Sequence, residues 1–107
     1  KEELVEHGKE VYVKNCAVCH QAEGQGLPPT FPALHGSKIA TGPIFDAEGK
    51  LVKDGHLDRV FNGKGVMPAW KGVLNDTDIA AVITFERNGL GNAVGDVLQP
   101  AQVKALR

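Results

Sequence analysis

Leu4, Val5, Val11 and Tyr12 recur at helical spacing among Glu and Lys over residues 4–15, and acids gather at the start, where they oppose the positive end of a helix dipole. Gly8 interrupts this pattern. A glycine inside a helix costs about 1 kcal/mol against alanine, so it points to close approach of a second helix, the alternative being a simple break. Residues 24–34 carry Gly24, Gly26, Pro28, Pro29 and Pro32, which exclude regular helix and predict an ordered extended loop. Over 44–52, apolar pairs flank a turn ending in Gly49 and predict a small hairpin. A short helix is predicted over 57–61, halted at Asn62-Gly63. The strongest helix pattern covers 76–88: Asn75 suits the N-cap, Asp76 and Asp78 suit the first turn, and Gly89 follows as the C′ residue. Its inward face carries Ile79, Val82 and Ile83, with Glu86 or Phe85 depending on how the helix rolls. A last short helix begins with Pro100 at N1 and runs through Val103 and Leu106. This order predicts an all-α fold with a small hairpin insertion, free of repeats and of low-complexity sequence.

At 107 residues the chain is one domain, 1–107. Twelve basic and thirteen acidic side chains are mixed along it, for a net charge of −1, which gives nucleic-acid binding no support. No stretch approaches the roughly 18 apolar residues that span a bilayer, and the N-terminus has no signal-peptide core, so no membrane contact is expected of this segment itself. A domain this small buries only about 65% of the surface its unfolded chain exposes, so a large flat cofactor would form much of its core.

Both cysteines of the chain fall in Cys16-Ala17-Val18-Cys19-His20. C-x-x-C-H is the signature of covalent haem attachment: each thiol bonds a vinyl group, and the adjacent histidine stands under the iron. A thioredoxin-like redox pair would need a βαβ context, and a zinc site would need four ligands, whereas only scattered His7, His20, His35 and His56 remain. Met67, the only methionine, lies in Gly63-Lys64-Gly65-Val66-Met67-Pro68, where the glycines free the backbone to cross a ring face and Pro68 prevents helix. Its thioether suits the sixth iron position, against the plainer role of core filler. His35 and His56 are rival ligands, but their Gly and Asp neighbours read as exposed connections, and His7 reads as an isolated surface histidine. The proline loop is placed to offer a carbonyl to the second nitrogen of His20. Trp70 either donates its indole N–H to a haem propionate or fills the core. Lys38, Lys53, Lys64 and Lys71 either ring one side of the haem cleft and steer an acidic partner or form a solvated surface.

Cys16, Cys19 and His20, the Gly8/Tyr12 pair, Phe31-Pro32-Ala33-Leu34, Met67-Pro68 and Phe85 together resemble a class I cytochrome c over almost the whole chain. The resemblance implies N- and C-terminal helices that cross around a covalently attached haem, with Gly8, Tyr12 and Phe85 at the crossing. It also implies that Pro32 gives its carbonyl to His20, with Pro28 and Pro29 as competing candidates. More narrowly, residues 37–43, 54–57, 76–88 and the Gly91-Asn92, Gly95-Asp96-Val97 and Gln99-Pro100 steps are similar to the cytochrome c domain of oxidase subunit II in caa-type oxidases. Leu90 departs from that pattern, where tryptophan is usual, and both cysteines belong to the haem motif, leaving none for a dinuclear copper domain.

The expectation is therefore an electron-transfer domain and not an enzyme. It would hold one haem c through Cys16 and Cys19 with His20 and Met67 as axial ligands, and have cofactor contacts at Pro32 and Trp70. Its partners would be a redox donor and an acceptor, the latter the copper domain of an oxidase. The alternatives within this class are a free periplasmic carrier and a small cytochrome subunit of a dehydrogenase. An enzymatic or sensory haem would instead need an open or weakly held sixth position. Haem attachment of this type takes place outside the bacterial cytoplasm, so a leader, an anchor or a larger parent chain is expected, with the domain in the periplasm or on the outer face of the inner membrane.

Overall fold

A computed structural model describes residues 2–21, 23–26, 33–34, 36–65 and 67–107, with the side chains of Val18 and Cys19 outside the description. Six helices follow in order: α1 (Glu2–Asn15), α2 (Ala17–His20), α3 (Lys38–Thr41), α4 (His56–Asn62), α5 (Asp76–Asn88) and α6 (Pro100–Lys104). The long helices α1 and α5 cross, α6 packs on α5, and α3 and α4 lie against each other and against α5.

Gly8 makes the crossing possible. A methyl at this position would overlap the Ala81 carbonyl oxygen and stand 2.7 Å from the Cβ of Phe85. Tyr12 and Phe85 fill the crossing beside it, with ring centroids 5.5 Å apart and planes tilted by 53°. The close approach read from Gly8 is thus observed, with the partners that the resemblance implies.

α5 begins where its caps dictate. Asn75 accepts from the Asp78 N–H at 2.8 Å, and the Asp78 carboxylate reaches back to the Asn75 N–H. The expectation of one inward face is corrected: every residue from Ile79 to Arg87 is buried, Phe85 and Glu86 alike. The chain after α5 folds back along it and satisfies its polar side chains. Thr84 accepts from the Leu98 N–H at 3.0 Å, Asn88 accepts from the Gly95 N–H at 2.8 Å, and Arg87 makes a two-pronged pair with Asp96 at 2.8 Å. Arg87 also donates to the carbonyls of Ala40 and Gly42 at the end of α3, a helix that local pattern did not announce. Gly89 ends α5 in extended backbone (φ −113°) rather than as a left-handed C′ residue, and a side chain there would strike the Phe85 ring. The hairpin over 44–52 is reduced to one antiparallel bridge, Phe45 with Leu51, and no longer strand forms among the described residues. Among those residues no helix is long and apolar enough to cross a membrane.

Candidate functional site

Cys16 joins α1 to α2. Its N–H donates to the Tyr12 carbonyl at 2.8 Å, and its carbonyl accepts from the His20 N–H at 2.9 Å. Positions 16, 19 and 20 therefore stand at i, i+3 and i+4 of one helical path, the spacing that brings residues to the same side. Cys16 and His20 are buried, and the backbone of Cys19 lies in α2. The turn stops at Gln21 (φ +69°), whose carbonyl accepts the Tyr12 hydroxyl at 2.5 Å. Burial, reinforced by Glu86 and Cys16 nearby, pushes the Tyr12 phenol well above its ordinary pKa, so this group stays a donor. Beyond the motif, the Gly26 N–H returns to the His20 carbonyl at 2.9 Å, and the Leu34 N–H meets the Gly24 carbonyl at 2.6 Å, so the two ends of the loop come together.

Met67 arrives from the opposite direction. Gly63 ends α4 at φ +78°, a conformation suited to glycine, and a Cβ there would lie 2.7 Å from the Met67 carbonyl oxygen. Lys64 and Met67 exchange both backbone hydrogen bonds, at 3.1 and 3.0 Å. The Trp70 and Lys71 N–H groups donate to the carbonyls of Val60 and Phe61, at 2.9 and 3.2 Å. The methionine is thus presented by a tight loop fastened to α4.

His20 and Met67 line one cleft, walled by Leu34, Ile39, Ala40 and Val60 together with His56, Arg59 and Glu86. An imidazole nitrogen and a soft thioether in a largely aliphatic cleft, the imidazole carried on a turn that bears two thiols, suit a covalently attached haem. Trp70 is not part of this described lining; it is partly buried against the core. Pro32, Pro28, Pro29, Phe31 and His35 lie outside the described residues.

Two readings of the histidines are corrected. His56 is not exposed: it is 3% accessible at the start of α4, with Nε2 2.7 Å from the Glu86 carboxylate, itself 2% accessible. The partner stands 30 residues away, so no local signal marked the pair, although a glutamate within the apolar run of α5 was a clue. His7 is not isolated, since its Nε2 lies 2.7 Å from Asp78 and ties α1 to α5. Of the four lysines, Lys64 pairs with Asp54 at 2.9 Å, and Lys71 bonds Asn62 while lying over the Phe61 ring. Hydrogen bonding from Lys64, aided by the charges of Lys64, Lys53 and Arg59, holds the Asp54 carboxyl below its ordinary pKa.

A helical thiol-bearing turn and a loop methionine that face one cleft in an all-α fold define a c-type haem protein. The chain belongs to the cytochrome c family: residues 3–85 match the family described as cytochrome c oxidase, cbb3-type, subunit III. It is similar to cytochrome c6 of Tetradesmus obliquus, 36% identical over 73% of this chain and 82% of that protein, and to cytochrome c6 of Leptolyngbya boryana, 37% identical over 73% and 84%. It also resembles the cytochrome c subunit of a quinone alcohol dehydrogenase from Gluconobacter oxydans, 31% identical over 94% of this chain, which spans only 22% of that subunit. The protein is accordingly a monohaem c-type cytochrome domain that carries electrons, with one haem c attached covalently. These matches carry the family and not the narrower likeness to oxidase subunit II.

Proposed function

We propose that His20 and Met67 are the two axial ligands, and that the domain relays single electrons from a protein donor to the copper centre of a haem-copper oxidase on the outer side of the membrane. The observation that carries the ligand assignment is the cleft lined by both residues, which come from elements fixed independently of each other. Haem supplies a reversible one-electron couple, tuned upward by a thioether ligand. The residues supply the frame. α1 and α2 hold the His20 backbone, the bridged Lys64–Met67 turn holds the methionine, and Leu34, Ile39, Ala40 and Val60 give the cleft its aliphatic lining. A protein that keeps both ligands in place changes little between oxidation states, which favours electron transfer over substrate chemistry. Trp70 and Pro32 remain proposed partners of a propionate and of the His20 ring.

The oxidase as acceptor rests on the subunit II likeness of α5 and of the chain that follows it. A second reading, a cytochrome subunit of a dehydrogenase or a free carrier, is favoured by the identity with the alcohol dehydrogenase subunit over nearly all of this chain. A copper-binding domain upstream in the same reading frame supports the first, and a cleavable leader directly before Lys1 supports the second. For the ligands, the haem-loaded ferric protein should show a methionine-to-iron charge-transfer band that Met67→Ala abolishes. An unchanged spectrum in that variant refutes the assignment.

A further inference from the structure

His56 holds a buried nitrogen whose partner is not among the described residues. Its Nε2 is engaged by Glu86 at 2.7 Å, both side chains are almost wholly enclosed, and its Nδ1 has no hydrogen-bond partner among the described residues. A buried polar atom left unpaired carries the full penalty of its lost hydration, so a partner is to be sought in the space the ring faces. His56 is one of the residues that line the cleft of His20 and Met67, together with Arg59, one turn further along α4. Arg59 is fixed there by donation from its Nε to the Asp54 carbonyl at 2.7 Å. The wall made by α4 therefore brings an imidazole and a guanidinium to a cleft whose remaining lining is aliphatic apart from His20, Met67, Ser37 and Glu86. A haem is apolar except for its iron and its two carboxylates, and a carboxylate is the group that an imidazole and a guanidinium together would recognise.

We propose that His56, held at Nε2 by Glu86, binds a haem carboxylate through an Nδ1–H donor, with Arg59 on the same side. This rests on the assignment of the cleft to haem. Glu86 is then a positioning residue that fixes the ring orientation, as a carboxylate behind an imidazole commonly does. With Glu86 at one nitrogen and a haem carboxylate at the other, the Glu86–His56 pair must carry a proton on Nδ1 as well as the one shared at Nε2. A neutral ring that only donated to Glu86 would present a bare acceptor to the haem carboxylate and repel it.

Proton and nitrogen NMR of the diamagnetic ferrous protein, loaded with haem and labelled at histidine, tests the assignment without a variant. The His56 Nδ1 should carry a proton, with nuclear Overhauser contacts to the propionate methylenes of the haem. An unprotonated Nδ1, or a proton without those contacts, overturns the proposal. Contacts of the haem with Met67 and Val60 report separately on the cleft; if they are present while the His56 contacts are missing, only the present proposal fails, and if they are absent both readings fail. His56→Leu should lower the midpoint potential, because a carboxylate stripped of its donor stabilises ferric iron, and His56→Gln, which keeps an N–H donor, should restore part of the shift. A potential unchanged in His56→Leu, or loss of the six-coordinate spectrum in that variant, refutes the carboxylate role, the second outcome marking His56 as an iron ligand instead.

Discussion

Replacing Gly8 by alanine sets two local effects against each other, and the structure decides the sign. Helix propensity alone favours alanine by about 1 kcal/mol. The new methyl, however, would overlap the Ala81 carbonyl oxygen, lie 2.5 Å from its carbon and 2.7 Å from the Phe85 Cβ. Carbon atoms rest at about 3.5–4.0 Å, so α1 and α5 must part by roughly 1 Å. None of the three atoms belongs to a flexible chain end that can rotate away. Overpacking of this kind costs about 1–3 kcal/mol, and the parting loosens buried Val11, Tyr12 and Phe85 as well, which places the cost near the upper end. After the propensity gain the net loss is about 2 kcal/mol, or about 10 °C in melting temperature for a domain of this size. Thermal unfolding of the haem-loaded protein, followed by far-UV circular dichroism, measures it. Gly72→Ala is the control, since its methyl enters open space and should be neutral or stabilising by up to about 1 kcal/mol. A Gly8→Ala protein that melts at or above the parent temperature would refute the crossing geometry.

Two further perturbations probe the polar framework. Arg87→Ala leaves Asp96 and the Ala40 and Gly42 carbonyls without their buried donor and should cost about 3–5 kcal/mol in urea denaturation; Arg87→Lys, which keeps the charge but not the fork, should recover only part, and a loss below about 1 kcal/mol would contradict the role given to the pair. The Asp54 carboxyl, lowered by its bond from Lys64, favours the folded state above the ordinary carboxylate pKa, and this contribution fades as acidification passes through its depressed folded value. Carbon NMR titration should show Asp54 titrating below an ordinary aspartate and moving back up in Lys64→Met; a titration that Lys64→Met leaves in place would exclude Lys64 as the cause.

Features set by neighbouring residues were legible in the sequence. The bounds of α5 follow from Asn75, Asp78 and Gly89, all at or next to its ends, and Gly8 announced a crossing because a glycine in a helix has few other uses. The haem motif, though not its helical turn, and the Met67 loop were equally readable, since Cys, His, Gly and Pro act through their own chemistry and backbone. What escaped depends on residues distant along the chain. The pattern of α5 implied a solvent face, yet Thr84, Glu86 and Arg87 are enclosed because the segment after α5 and the walls of the cleft provide their partners. His56 was misplaced for the same reason, as its glycine and aspartate neighbours describe a turn while its environment is set by Glu86. The four-residue helices α2 and α3 are too short to be stable by propensity and exist because the fold imposes them.

The partners at the α1–α5 crossing, Gly8 and Ala81, come from opposite ends of the chain, so the core waits for a long loop to close before it can form. Until that closure, the face of α1 that carries Tyr12 and the face of α5 that carries Phe85 lack each other's cover, and two aromatic rings that the finished protein hides stay in water.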